Sequence, residues 1–488
     1  MPANSTPTLR SGRIAATALP AYCPVTSDGR QAAAGEPIIG ITEAAASAGS
    51  RVSVVVDGSA EAWAGAAITD GQPLQVGPNN TVVPYTGGYC IGRALNAAVV
   101  GDKVEVLLFC APVTNNGMPA YIGQVANRCS QQNKQNTTNK QLMSRSRHNA
   151  MVPINSLALV FWNGFTDFEG TRLETGGGAA TYTASIEYPA GTIAAQITWG
   201  GSATKNASDN EVFRSDFANV SIPKGAVFFV RVWRSSSVGI IYNKYGGLLD
   251  TEAGTTYSGE CFTFSTTTAD LTMTPGQFTN IGNTGTGFRP QAIVALTNQP
   301  SLVLFGDSRV NNDTQLDTVT DGFGYVGELE RSFGMQYPTI KLSQSSERVF
   351  QALTRFTYRM QIAAYCSHGV SNYGVNDFRD ARSAATVLAD QKSFAALFGK
   401  PMYVCTVAPM ANAGNTVTDA TVNPLRTAYN AIIRKGDESF AGTLEIADIV
   451  ETARDSGLWI SGYTSDGLHA NTTGSLALHR SGSLRLPI

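Results

Sequence analysis

The stretch Ser301-Leu302-Val303-Leu304-Phe305-Gly306-Asp307-Ser308-Arg309 decides how the C-terminal part of the chain is read. Leu302 to Phe305 form a short apolar run closed by the turn signal Gly306-Asp307, the pattern of a strand buried within a parallel sheet. Ser308 then stands where that strand ends, at the edge where open α/β sheets place their ligands. A serine there can act as a nucleophile if a base reaches its hydroxyl. Two more stretches lie downstream. Tyr373-Gly374-Val375-Asn376-Asp377 again ends a strand pattern, and Ser465-Asp466-Gly467-Leu468-His469-Ala470-Asn471 sets a carboxylate and an imidazole three residues apart.

From residue 301 onward strand and helix patterns alternate. Strand patterns fall at 302–305, 339–342, 369–373, 402–407 and 444–450. Between them lie helical patterns: Tyr325, Leu329 and Phe333 ended by Gly334, a segment over 347–363, a helix over 380–398 stopped by Gly399, and one opened by Asn423 as N-cap with Pro424 after it and Gly436 beyond its end. A last helix falls near 472–480. Five such alternations predict a doubly wound parallel sheet with helices on both faces.

The three blocks Gly306-Asp307-Ser308, Gly374-Val375-Asn376-Asp377 and Asp466-Gly467-Leu468-His469, in this order, resemble the SGNH (GDSL-type) serine hydrolases over the region from about 290 to the C-terminus. The resemblance implies ester hydrolysis without a metal or cofactor, with Ser308 as nucleophile and Asn376 as an oxyanion donor. Family members that act on glycans commonly remove O-acetyl groups. One block departs from the pattern. Where the family has a glycine after its second strand, the run Leu342-Ser343-Gln344-Ser345-Ser346-Glu347 puts Ser346. A backbone N–H survives that change, but not the close approach a glycine permits.

The residues themselves point to the same roles. The chain has four histidines. His469 follows the last strand on the carboxyl edge of the sheet, whereas His368 opens a strand and so belongs at the opposite edge. His479 falls in the last helix, on a solvated face, and His148 reads as a surface or cap residue. His469 is therefore the candidate base, and Asp466 can hold its other ring nitrogen. Asp307 and Asp377 are rival acids that also read as turn formers. The N–H groups of Ser308 and Ser346 and the Asn376 amide are the candidate oxyanion hole. No Gly-x-Ser-x-Gly elbow and no phosphate loop is present.

Upstream, residues 1–112 hold an internal repeat. Ile39-Gly40, Ala45-Ala46, Gly49, Val52 and Val54 recur at a constant offset of 52 as Ile91-Gly92, Ala97-Ala98, Gly101, Val104 and Val106. Gly77-Pro78-Asn79-Asn80 between the copies is a hairpin signal. This predicts a small all-β, barrel-like domain of two related halves. Its short strands, Ala-Gly loops and closing Gly101-Asp102-Lys103-Val104-Glu105-Val106 resemble the capsid decoration (cement) proteins of tailed bacterial viruses.

Residues 113–150 read as a polar linker or arm, because Ser130 to Asn139 is nearly devoid of apolar side chains. Residues 151–300 read as a β-sandwich accessory domain, with strand patterns at 157–162, 181–187, 194–199 and 226–233 and a closing run at 289–295. Trp162, Trp199 and Trp233 suit either a sugar-binding face or, as such aromatics more often do, a core. Residues 301–488 are then the hydrolase domain.

Composition excludes other classes. A net charge of -2 gives no footprint for nucleic acid. Met1 to Pro20 has no apolar signal-peptide core, and no apolar stretch approaches the ~18 residues of a membrane span. Seven cysteines scattered from Cys23 to Cys405, without a Cys-x-x-Cys pair, argue against a disulfide framework or a zinc site. The expectation is thus a multidomain α/β plus all-β chain: an O-acetyl esterase on a virion, with no signal peptide, acting on host cell-surface polysaccharide. Its other expected partners are capsid or further virion proteins and copies of itself. The alternatives are a glycan-binding, non-catalytic receptor-binding virion protein and a lipase or thioesterase.

Overall fold

A computed structural model describes residues 7–26, 29–36, 38–86, 91–108, 121–167, 173–244, 259–279, 286–311 and 327–486. Cys90, Cys110, Tyr325 and residues 113–120 of the expected linker lie outside them. The chain divides into two compact units, Met1–Pro119 with Arg485–Ile488, and Ala120–Leu484.

The first unit is one all-β sheet. Its long strand Arg51–Ala64 pairs with Pro7–Ile14, Gly40–Thr42, Thr81–Pro84 and Lys103–Leu108. Through Pro73–Val76 and Gly92–Ala94 the pairings return to Lys103–Leu108, closing a circuit of hydrogen-bonded strands. The 52-residue repeat has a steric basis. A Cβ on Gly40 would lie 2.0 Å from the Val55 carbonyl oxygen, and one on Gly92 would lie 2.3 Å from that of Leu107. Glycine and obstacle shift by the same 52 positions, so each copy needs its glycine where a strand crosses closely. Asn79 and Asn80 take positive φ in the hairpin between Pro73–Val76 and Thr81–Pro84.

The second unit contains a six-stranded parallel sheet in the order Cys129–Ser130, Thr339–Ser343, Leu302–Gly306, His368–Ser371, Met402–Cys405, Gly442–Leu444. Leu302–Gly306 has Thr339–Ser343 and His368–Ser371, the next two strands of this sheet in chain order, as its two neighbours. It therefore lies at the point where the winding reverses, which opens a crevice at its carboxyl end. The principal helices are Val349–Arg355, Tyr358–Ala363, Ala384–Phe398, Val422–Ile433 and Thr472–Arg480. Ser383 caps Ala384–Phe398 by accepting the Thr386 N–H, and Gly399, at φ 68°, ends it. Asn423 is not the N-cap of its helix. Asp419 Oδ1 accepts the N–H groups of Thr421 and Val422, and Asn423 instead bonds both polar groups of Met410. The segment expected as a strand at 444–450 is a strand only to Leu444, then a short helix, Ala447–Val450.

Two larger antiparallel sheets and two two-stranded ones, Lys134–Asn136 with Ile240–Tyr242 and Gly164–Thr166 with Glu174–Gly176, belong to the same unit. One larger sheet has the path Ile193–Gln196, Ala180–Glu187, Val227–Ser235, Gln141–Asn149, Cys261–Ser265. The other has Val212–Arg214, Ile154–Trp162, Ala292–Thr297, Tyr121–Gln124. One apolar core runs from Val125 in these sheets to Phe440 in the α/β region. The division at 300/301 is therefore not a boundary between compact units. Trp162 is fully buried and stacks on Tyr358, ring centroids 5.5 Å apart. Trp199 packs on Phe213, and Trp233 Nε1 donates to the Thr268 carbonyl.

The linker expectation fails for residues 121–149, which supply strands to four sheets. The polarity that suggested a linker is used inside. Gln131 Nε2 donates to the Ser343 carbonyl and Gln132 Nε2 to that of Arg289, both at 2.9 Å, while Asn133 Oδ1 accepts the Lys244 N–H. These buried amides replace missing backbone partners where layers meet. His148 is likewise buried, between the Asn127 carbonyl and the Ser146 hydroxyl, and burial pulls its pKa down to about 3. The five cysteines among the described residues are buried. Among those residues no helix is long and apolar enough to cross a membrane.

Candidate active site

Ser308 opens a short helix, Ser308–Asn311, at the carboxyl end of Leu302–Gly306. Asp307 fixes the turn between them. Its Oδ1 accepts the Arg309 N–H at 3.0 Å, and its backbone carbonyl accepts those of Val310 and Asn311. Among the described residues the Ser308 N–H has no partner, as befits the first turn of a helix.

His469 arrives from the other side, in the loop before Thr472–Arg480. The loop can turn because Gly467 takes φ 75°, where a Cβ would lie 2.3 Å from the Asn412 carbonyl oxygen. Asp466 folds the turn around its own carboxylate. Oδ1 accepts the N–H groups of Leu468 and His469, each at 2.8 Å, and Oδ2 accepts His469 Nδ1 at 2.7 Å. That contact fixes the ring tautomer and leaves Nε2 to face Ser308 Oγ at 2.8 Å. Burial pushes the Asp466 carboxyl up, but the His469 ring and the two N–H groups outweigh it and hold the carboxyl well below the usual range. The aspartate thus stays ionised beside the imidazole. Ser308 and His469 are nearly buried.

Neither rival acid bonds the imidazole. Asp307 Oδ2 accepts Asn376 Nδ2 at 2.9 Å. Asp377 Oδ2 accepts the Val349 N–H at 3.1 Å, and burial raises the Asp377 carboxyl to about 7. Asn376 Nδ2 also reaches the Glu347 carbonyl at 3.4 Å, so this one amide ties the Asp307 turn and the loop that holds Ser346 and Glu347 together.

Ser346 occupies the left-handed region at φ 58°. The position thus requires the backbone that a glycine takes freely, and a serine adopts it. Its carbonyl accepts Arg348 Nη1 at 2.9 Å, and Arg348 makes a two-bond pair with Asp380. Glu347 is wholly buried, paired through both oxygens with Arg359 at 2.9 Å and accepting the Tyr373 hydroxyl at 2.6 Å. The Ser346 N–H has no partner among the described residues.

His368 lies at the amino end of its strand, opposite Leu302, away from Ser308. His479 is half-buried in the last helix rather than solvated. Among the described residues no group of three or more His, Cys, Asp or Glu side chains is arranged to hold a metal ion. Sequence reading missed Arg309, Glu328 and Asn372. Glu328 is buried, accepts Asn372 Nδ2 at 2.8 Å and lies 3.9 Å from the Arg309 guanidinium. Nothing in the local sequence pattern marks these pairings.

Residues 11–108 match the family model described as phage cement protein, the resemblance read from the repeat. No curated protein matches the chain. Among solved structures, a GDSL-like lipase from Bacteroides thetaiotaomicron is 16% identical, with 37% of this chain and 84% of that one covered at a TM-score of 0.28. The N base of the head fiber protein of bacteriophage phi29 is 19% identical over 21% of this chain and 96% of that one, TM-score 0.19. A salicylyl-acyltransferase from a tetracycline biosynthetic pathway is 13% identical over 70% of this chain and 79% of that one, TM-score 0.27.

Proposed function

We propose that the chain is a serine ester hydrolase, carried on a virus particle by its N-terminal unit, that removes O-acetyl groups from host cell-surface polysaccharide. The observation that carries the hydrolase reading is the unbroken relay Ser308 Oγ, His469 Nε2, His469 Nδ1, Asp466 Oδ2, with contacts of 2.8 and 2.7 Å. Ser308 Oγ attacks the acyl carbonyl while His469 Nε2 takes its proton, and Asp466 stabilises the imidazolium. The N–H groups of Ser308 and Ser346 face the oxyanion. Asn376 joins them by giving up its longer contact, the 3.4 Å one to the Glu347 carbonyl. Collapse returns the proton to the departing sugar oxygen and leaves acetyl on Ser308. Water, deprotonated by His469, then releases acetate.

The cement-protein match over residues 11–108 supports the particle-bound part of this reading. The test is acetate release from candidate capsule or lipopolysaccharide, with p-nitrophenyl acetate and octanoate as model esters. Turnover of the acetyl ester by wild type and its loss in Ser308→Ala are expected. Faster turnover of the octanoate would move the reading to a lipase, and equal rates with and without Ser308 would end it.

A further inference from the structure

Arg309 follows the nucleophile directly and its side chain is fully buried. The guanidinium spends its donors on two loops that come from different β/α connections. Nη1 and Nη2 donate to the Ala408 and Pro409 carbonyls at 2.9 and 2.7 Å, and Nε donates to the Leu468 carbonyl at 3.1 Å. The Leu468 carbonyl and the His469 N–H belong to one peptide unit. Asp466 Oδ1 holds the N–H side of that plane at 2.8 Å and Arg309 holds the carbonyl side. The plane from which the His469 side chain springs is therefore gripped on both edges.

The rest of the surroundings fit a strut of this kind. Arg309 is itself fixed, its N–H on Asp307 and its carbonyl accepting the Glu328 N–H at 2.8 Å. Trp459 lies beside the guanidinium, 5.8 Å from its ring centroid, and its Nε1–H donates to the Gly467 carbonyl of the same loop at 3.0 Å. Glu328 offsets the buried charge.

We propose that Arg309 is a positioning residue that locks the His469 loop to the helix carrying Ser308, so that Nε2 meets Oγ without rearrangement. This rests on the hydrolase reading for its kinetic consequence. The physical warrant is the planar fork of a guanidinium, which donates in several fixed directions at once. A lysine ammonium is a point donor on a flexible stem and cannot span both loops. Reacting groups misplaced by ~1 Å lose on the order of a hundredfold in rate.

The test uses the full chain with Arg309→Lys and Arg309→Met. For both, kcat on p-nitrophenyl acetate is expected to fall at least about tenfold while KM stays within about threefold, because substrate contacts are untouched. The histidine Nδ1 proton of the His469–Asp466 bond, assigned by its absence in His469→Gln, is expected to shift or vanish in the proton spectrum. A kcat within twofold of wild type in Arg309→Lys overturns the proposal, as does a change confined to KM or an unmoved Nδ1 resonance. If Arg309→Met does not fold, Arg309→Lys decides alone. If wild type hydrolyses no ester, the hydrolase reading falls, and the resonance by itself decides whether Arg309 positions His469.

Discussion

Replacing Ser346 by glycine separates what its backbone does from what its side chain does. Ser346 sits at φ 58°. A left-handed backbone costs an L-residue about 1–2 kcal/mol, and glycine escapes that cost but loses about 0.5–1 kcal/mol through its freer unfolded chain. Ser346→Gly should therefore leave stability unchanged or raise it by about 1 kcal/mol, a shift on the order of 2 °C in melting temperature. The N–H stays in place in both Ser346→Gly and Ser346→Ala, so kcat on p-nitrophenyl acetate should stay within about threefold in each. Losing a true oxyanion donor would cost about a hundredfold or more. The assays are calorimetric melting and steady-state hydrolysis on the three proteins. A hundredfold loss in both variants would show that the hydroxyl, not the N–H, is the donor. A clearly destabilised Ser346→Gly would refute the argument from backbone strain.

Ser308→Ala and His469→Ala should each lower ester turnover by several orders of magnitude and the double variant little further, because the relay acts as a unit; additive losses measured in steady state would contradict it. His148 stays neutral when folded, its pKa down from 6.5 to about 3, while the unfolded chain takes up that proton below 6.5. The stability it permits is thus intact above pH 6.5 and lost as pH falls from there toward 3, by up to about 1.4 kcal/mol per pH unit, and urea melts should show this acid loss relative to His148→Gln. A fragment beginning at Ala120 should fold, whereas one beginning near residue 150 should not, since it lacks Tyr121–Gln124, Cys129–Ser130 and Gln141–Asn149; circular dichroism distinguishes them, and a folded shorter fragment would disprove the shared core.

What the sequence made legible is what covalent proximity enforces. Asp466 and His469 lie on one tight turn, and the carboxylate that folds the turn is the one that holds the ring, so the contact follows from three residues of spacing. The place of Ser308 was legible because a short apolar run has few places to go except the middle of a parallel sheet. The opposite holds for Ser130 to Asn133. Their amides and hydroxyl look like solvent-facing groups, and only the meeting of layers far apart in sequence gives them buried carbonyls to satisfy. Charge misleads in the same way. Arg128, Arg145, Arg231, Arg309, Arg359 and Arg426 are all buried, paired with glutamates up to 185 residues away. A chain with only 15% charged residues, which reads as a bland globular composition, thus carries ion pairs inside its core. Those pairs are costly to bury, yet removing one partner costs about 3–5 kcal/mol by stranding the other. Arg359 and Glu347 show where that expense falls, in the loop that gives Ser346 its unusual backbone. The carboxylate that anchors that loop to Arg359 and Tyr373 is one that sequence reading noticed only as the neighbour of a missing glycine.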